Sequence, residues 1–180
     1  MVPVLAGLSA LCCGSAHAET RAMFIRYFIE IPRPMAEVEA ELLESPGDWS
    51  TEPARDAEAR GEELLAQVGF GPPRARIAKR VELQFGEAVR FPSKTILPMS
   101  WKPAGLESLF PRLEADIELG ELGPERTQLS ISARYTPPLG SLGRVLDRAL
   151  LHRVAEATVK DFLDRAGQIL SAVPTAASGV

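Results

Sequence analysis

Five segments of this chain alternate apolar and polar residues with a period of two, and the last of them runs into the longest helical pattern in the sequence, RYTPPLGSLGRVLDRALLHRVAEATVKDFLDR. In the first segment Ile77, Val81, Leu83 and Phe85 share one face, and Ala78, Arg80, Glu82 and Gln84 the other. Val89 and Phe91 continue the pattern, followed by Leu97, Met99 and Trp101, by Leu113, Ala115, Ile117 and Leu119, and by Leu129, Ile131, Ala133 and Tyr135. Gly86, Pro103-Ala104-Gly105 and Gly120 to Pro124 supply the turns. Successive side chains of a strand point to opposite faces, so these segments predict an antiparallel sheet with one apolar face. That face needs a cover, and Leu142 to about Ala172 can provide it. On a helical wheel Leu151, Val154, Ala155, Thr158, Phe162, Ala166 and Ile169 form one stripe, while Arg153, Glu156, Lys160 and Asp164 point away. Glu156 with Lys160, and Asp161 with Arg165, are spaced as ion pairs along the exposed side.

The front of the chain is of another kind. FIRYFIEI, from Phe24 to Ile31, is aromatic and β-branched and stops at Pro32 and Pro34, which predicts a strand. Pro34 suits the first turn of a short helix over MAEVEAELLES, with Glu37, Glu39 and Glu41 near its start and Pro46-Gly47 at its end. A Gly47-Asp48-Trp49 turn then leads to a second helix over EPARDAEARGEELLAQVGFG, with Ala57, Leu64, Leu65 and Val68 at helical spacing and Gly69 as the stop. The first eighteen residues, MVPVLAGLSALCCGSAHA, imitate an export signal but carry no basic residue before Arg21. Residues 1–22 are therefore expected to be an extension outside the fold, residues 23–173 the domain, and residues 174–180 a flexible tail. A cytoplasmic location follows, with export as the alternative if residues 1–18 are a genuine signal.

Several function classes are disfavoured. A net charge of -4 gives no electrostatic reason for nucleic acid to bind. The opening apolar run is too short and too interrupted for stable membrane insertion. Cys12 and Cys13 are adjacent and only His17 and His152 are present, so no His-and-Cys metal cluster is expected, and no cofactor motif stands out. The glycines of PPLGSLGR precede a helix but lack the Lys and hydroxyl of a phosphate-binding loop.

The order strand, two short helices, antiparallel strands and one long C-terminal helix, together with the RYTPPLGSLGRVLDRALLHRVAEATVKDFLDR stretch, resembles the helix-grip fold of the START-like, or SRPBCC, superfamily with its polyketide cyclase/dehydrase relatives. The resemblance covers about residues 24–172 and implies an α+β architecture, a curved antiparallel β-sheet wrapped around the long helix. It also implies a cavity between them for a small hydrophobic molecule such as a lipid or polyketide. SPGDWSTEPARDAEARGEELL departs from the cyclase relatives, keeping only Trp49 where they have an aromatic cluster.

Period-two parity turns Tyr27, Lys79, Glu87, Thr95 and Trp101 inward or toward a cavity rim. The expected pocket comprises Tyr27, Lys79, Phe91, Met99, Trp101 and Tyr135 from the strands with Leu151, Val154, Thr158 and Phe162 from the helix. Lys79 would anchor a ligand or donate a proton, unless its stem packs on Ile77 and Val81 while its ammonium reaches water. Phe85, Phe91, Met99 and Trp101 suit an aromatic lining and equally an ordinary core. Tyr27 and Tyr135 offer hydroxyls, or bury their rings and keep their oxygens wet. Thr158 can bond back to a carbonyl one turn earlier. Asp147 lies within reach of Arg144 and Arg148, and an ion pair near the helix start explains it better than catalysis. His152 and Glu156 are four apart but fall on the solvent side without a third metal ligand. The expected function is binding or carrying a hydrophobic ligand. The alternatives are a cyclase/dehydrase-type enzyme using Lys79, Tyr135 or Glu87 as acid or base, and a protein-interaction module.

Overall fold

The computed structural model describes residues 22–67, 82–102, 113–135 and 148–172. Strand β1 (Met23–Ile31) is followed by α1 (Met35–Glu44) and α2 (Pro46–Gln67). Then come β2 (Glu82–Phe85), β3 (Val89–Phe91), β4 (Lys94–Lys102), β5 (Leu113–Gly123) and β6 (Arg126–Tyr135), and finally α3 (Arg148–Ser171). The described strands form one antiparallel sheet in the order β1-β6-β5-β4-β2, with β3 also pairing to β4. Helix α3 packs against α2 and against the β1 side of the sheet, which makes the fold an α+β helix grip.

The alternation in the strands sets the inner face. Ile25 and Ile31, Leu97 and Met99, Ile117 and Leu119, and Leu129 and Ile131 are buried on it. Phe162, Leu163, Ala166 and Leu170 of α3 close over this face, with Val38 and Leu42 of α1 and Trp49, Ala54 and Ala57 of α2. The buried side of α3 is wider than the sequence stripe, because Val159, Leu163 and Leu170 are buried as well while Ala155, Thr158 and Ile169 are half-buried. The helix has two neighbours to satisfy, the sheet and α2. The opposite face of the sheet carries opposite charges on neighbouring strands, Lys94 with Glu118 at 3.2 Å and Arg126 with Glu30 at 3.3 Å. Phe24 and Phe28 of β1 stand exposed on that face, alternating with Arg26 and Glu30.

Three expectations change. Gly47, Asp48 and Trp49 are not a turn but the first turn of α2, which begins at Pro46 and runs for 22 residues. Proline is favoured at the first helical position because its missing N–H would have no partner there. Trp49 is thereby buried, and its indole N–H donates to the Leu42 carbonyl at 3.0 Å, satisfying one of the last carbonyls of α1. Val89 and Phe91 do not face the grip, although Phe91 lines a separate cavity beside the first turn of α1. Phe85 pairs with Met99 and Val89 with Ile96, so residues 86–88 oppose only 97–98. That one extra residue is a β-bulge, and it inverts the parity of everything in β3. Val89 and Phe91 therefore join Ile96 and Lys94 on the outer face, and the Lys94 ammonium stands 5.5 Å over the Phe91 ring. Glu87, within the bulge, is exposed rather than inward. Ile77, Lys79 and Val81, and on the helical side Arg144 and Asp147, lie outside the described residues.

Helix α3 meets β1 at a glycine. A Cβ built on Gly167 would stand 1.9 Å from Ile29 Cδ1 and 3.3 Å from Cγ1. Gly167→Leu is therefore expected to destabilise by about 1–3 kcal/mol through overpacking, measured as a lower midpoint in urea with an unchanged slope. Gly167→Ala meets only the movable end of Ile29 and gains about 1 kcal/mol of helix propensity, so its net effect is much smaller.

Candidate functional site

The inner face is not covered evenly. At the end reached by Ile31, Leu119 and Leu129 the side chains are fully buried, and Thr127 gives its hydroxyl to the Arg33 carbonyl at 2.8 Å. At the other end one cross-strand row runs Leu83, Trp101, Leu113, Tyr135 and Met23. Here Leu83, Leu113 and Met23 remain only half-buried although they face inward. Among the described residues, the inner face is thus least covered where β1, β2 and β5 begin and β4 and β6 end.

Polar groups converge on the same row. Tyr135, the last inward residue of β6, is 5% exposed. Its hydroxyl lies 3.3 Å from Met23 Sδ and 3.4 Å from His152 Nδ1 in the first turns of α3. His152 Nε2 stands 3.3 Å from Glu156 Oε1, one turn further on. Glu156 is exposed, as expected, but the expectation that His152 falls on the solvent side needs correcting, because its imidazole is half-buried and bridges the sheet to the helix surface. Helix rotation explains the difference: His152 follows the buried Leu151 and lies at the edge of the stripe, close enough to reach Tyr135. Among the described residues no three His, Cys, Asp or Glu side chains come together to hold a metal ion.

The other expected pocket residues divide. Met99 and Trp101 lie on the inner face, and the Trp101 ring packs 5.3 Å from Phe162. Leu151 and Val154 are buried but stand apart from the continuous core cluster. Thr158 is half-buried and its hydroxyl donates to the Val154 carbonyl at 2.9 Å, the local bond that its position in a helix favours. Tyr27 faces inward on β1 but at the rim beside α3, where the Lys160 ammonium stands 5.1 Å over its ring. The Asp164 carboxylate, with the Tyr27 hydroxyl, pushes the Lys160 pKa up to about 12.

Among the described residues, two cavities lie outside the grip. One, of about 430 Å³, opens on the outer face between Gln84, Ser100, Glu114, Asp116, Ser132 and Arg134. Another, of about 320 Å³, lies between the first turn of α1 and the turns that join β3 to β4 and β5 to β6. In its wall Glu39 accepts hydrogen bonds from the Thr95 hydroxyl at 2.9 Å and the Arg90 guanidinium at 2.7 Å, which ties α1 to the sheet. Arg90 reaches Glu39 because the bulge turned its parity inward as it turned Phe91 out.

No protein-family model matches the chain, and no curated protein matches it. Solved structures resemble it in fold. An aromatase/cyclase from Streptomyces sp. R1128 is 14% identical with a TM-score of 0.43, over 89% of this chain and 100% of that one. A START superfamily protein from Mycobacterium smegmatis is 14% identical with a TM-score of 0.39, over 81% and 98% of the two chains. Norcoclaurine synthase from Thalictrum flavum, in complex with dopamine and hydroxybenzaldehyde, is 13% identical with a TM-score of 0.38, over 91% and 97%. At such distances the functional reading has to come from the residues of this chain.

Proposed function

We propose that the chain binds a small hydrophobic molecule at the end of the grip bounded by Leu83, Leu113, Met23 and Tyr135 of the sheet and His152 and Ala155 of α3. The observation that carries the reading is that Leu83, Leu113 and Met23, three inward residues of one cross-strand row, are all half-buried. Apolar groups that face inward and stay open leave a free-energy gain of about 25 cal/mol per Å² for whatever covers them. A few polar groups set in an apolar wall are the usual composition of a small-molecule site. The acid–base alternative loses Glu87, which is exposed, and Phe91 no longer contributes to the lining.

N-phenyl-1-naphthylamine, an apolar probe that brightens out of water, tests the site. Saturable binding with a blue-shifted emission is expected, together with a loss of affinity of about ten-fold or more in Ala155→Trp, whose indole fills the open row. Circular dichroism of the variant confirms that it folds. Absence of saturable binding to the native chain, or unchanged binding by a folded Ala155→Trp, would refute the proposal.

A further inference from the structure

We propose that β1 pairs antiparallel with β1 of a second copy of this chain, about a two-fold axis at Phe28, so that the two sheets become one. The inference is independent of the ligand site.

Among the described residues β1 pairs only with β6 and forms one end of the sheet. In an antiparallel ladder each residue turns its N–H and C=O to the same side, and successive residues turn them to opposite sides. Two bonds fix that alternation here, from the Glu121 N–H to the Ser93 carbonyl at 3.0 Å and from the Gly86 N–H to the Pro98 carbonyl at 2.8 Å. Carried through the registers of β4, β5 and β6, it commits Met23, Ile25, Tyr27, Ile29 and Ile31 to bonds with β6. Phe24, Arg26, Phe28 and Glu30 therefore turn both backbone groups to the free edge. Such an edge is a template for a further strand.

The same four residues carry exposed side chains on the outer face, with Phe24 55% and Phe28 58% exposed. Their charges decide the register. With Phe28 opposite Phe28 of the second copy, Arg26 of each chain lies opposite Glu30 of the other, twice by symmetry. Centring on Arg26 or on Glu30 sets like charges face to face, and centring on Tyr27 sets Arg26 against Phe28 and Glu30 against Phe24. Charges on an edge usually discourage pairing, but here one register satisfies them. Pro32, which has no N–H, ends the ladder beyond Ile31. On the inner face Tyr27 comes opposite Ile29, and both half-buried residues gain cover.

Sedimentation velocity of the full chain over a range of concentrations tests the pairing. One strand pair makes a small interface, so a dimer that dissociates on dilution is expected. Arg26→Glu alone and Glu30→Arg alone each set like charges opposite one another, and each should weaken the dimer about ten-fold or more. Mixed in equal amounts, the two variants should dimerise again, because every charged pair then joins a carboxylate to a guanidinium. Both changes lie on the exposed face, where losing the Glu30 pair with Arg126 costs little, and circular dichroism checks that each variant folds. A native chain that stays monomeric up to about 1 mM overturns the inference. So do variants that dimerise as the native chain does, or a mixture that associates no more tightly than either variant alone.

Discussion

Phe162→Ala is expected to remove about 3–5 kcal/mol of stability, the usual cost of truncating a buried aromatic side chain to a methyl. Phe162 is 0% exposed and belongs to three elements at once. Its ring lies 5.3 Å from Trp101 of β4, at 57°, and 6.3 Å from Trp49 of α2, at 54°. Trp49 continues to Phe85 of β2 at 5.6 Å. Tilted aromatic pairs add about 0.5–1.5 kcal/mol each beyond the area they bury, so the loss exceeds that of an aliphatic residue at equal depth. For a domain of this size the melting temperature should fall by roughly 6–20 °C. Trp49 and Trp101 are the two tryptophans of the chain, so both report the change in fluorescence and near-ultraviolet dichroism. A folded variant that loses less than about 1 kcal/mol would show that the three-ring contact does not hold the helix to the sheet.

The second large effect is expected at Arg33, in the link between β1 and α1. Its guanidinium is buried at 6% exposure. Nη1 donates to Glu41 Oε2 at 2.7 Å, to the Leu170 carbonyl at 2.7 Å and to the Ala172 carbonyl at 3.2 Å, while Nη2 stands 3.5 Å from Glu37 Oε2. A cation at a helix C-terminus meets carbonyls that have no partner inside the helix and the negative end of the helix dipole. Arg33 thereby ties the C-terminus of α3 to α1. Arg33→Ala should cost about 3 kcal/mol, within the range for breaking a buried, hydrogen-bonded charge arrangement. Arg33→Lys should recover only part of it, because a single ammonium replaces the two nitrogens that face Glu41, Leu170 and Ala172 on one side and Glu37 on the other. Amide exchange localises the effect: the N–H groups of residues 166–172 should lose protection well before those of β5. Uniform loss of protection would argue against a clamp specific to α3.

Features that depend on near neighbours in the chain were legible from the residues. Alternation in Leu113–Leu119 and Leu129–Tyr135 placed these residues inward, and the break to helical spacing marked α3. The back-bond of Thr158 and the pair of Asp161 with Arg165, at 2.9 Å, are both one-turn interactions. Glu156 shows where such reading stops. Its spacing suited Lys160, yet Lys160 is held by Asp164 and Glu156 by His152, and both arrangements are equally local. The choice between them depends on what lies beside the helix.

Gly86 is the instructive case for the strands. A lone glycine in a strand pattern is a bulge signal, and Pro98, which has no N–H, lies opposite it. Gly86 N–H donates to the Pro98 carbonyl at 2.8 Å across that irregularity. If Gly86 is a simple turn the parity runs on and Phe91 faces inward; the one added residue puts it outside. No local pattern marks Arg33, because its partners Leu170 and Ala172 are 137 and 139 residues away.

The sequence by itself determined the elements, their order and which face of each long strand is apolar, since a period of two or 3.6 is a property of neighbours along the backbone. Tertiary structure alone decided the rest. The register of β3 against β4, the rotation of α3 that brings His152 to Tyr135, and the closing of α3 by Arg33 are contacts between distant segments, set by how whole surfaces pack, and no local pattern encodes them.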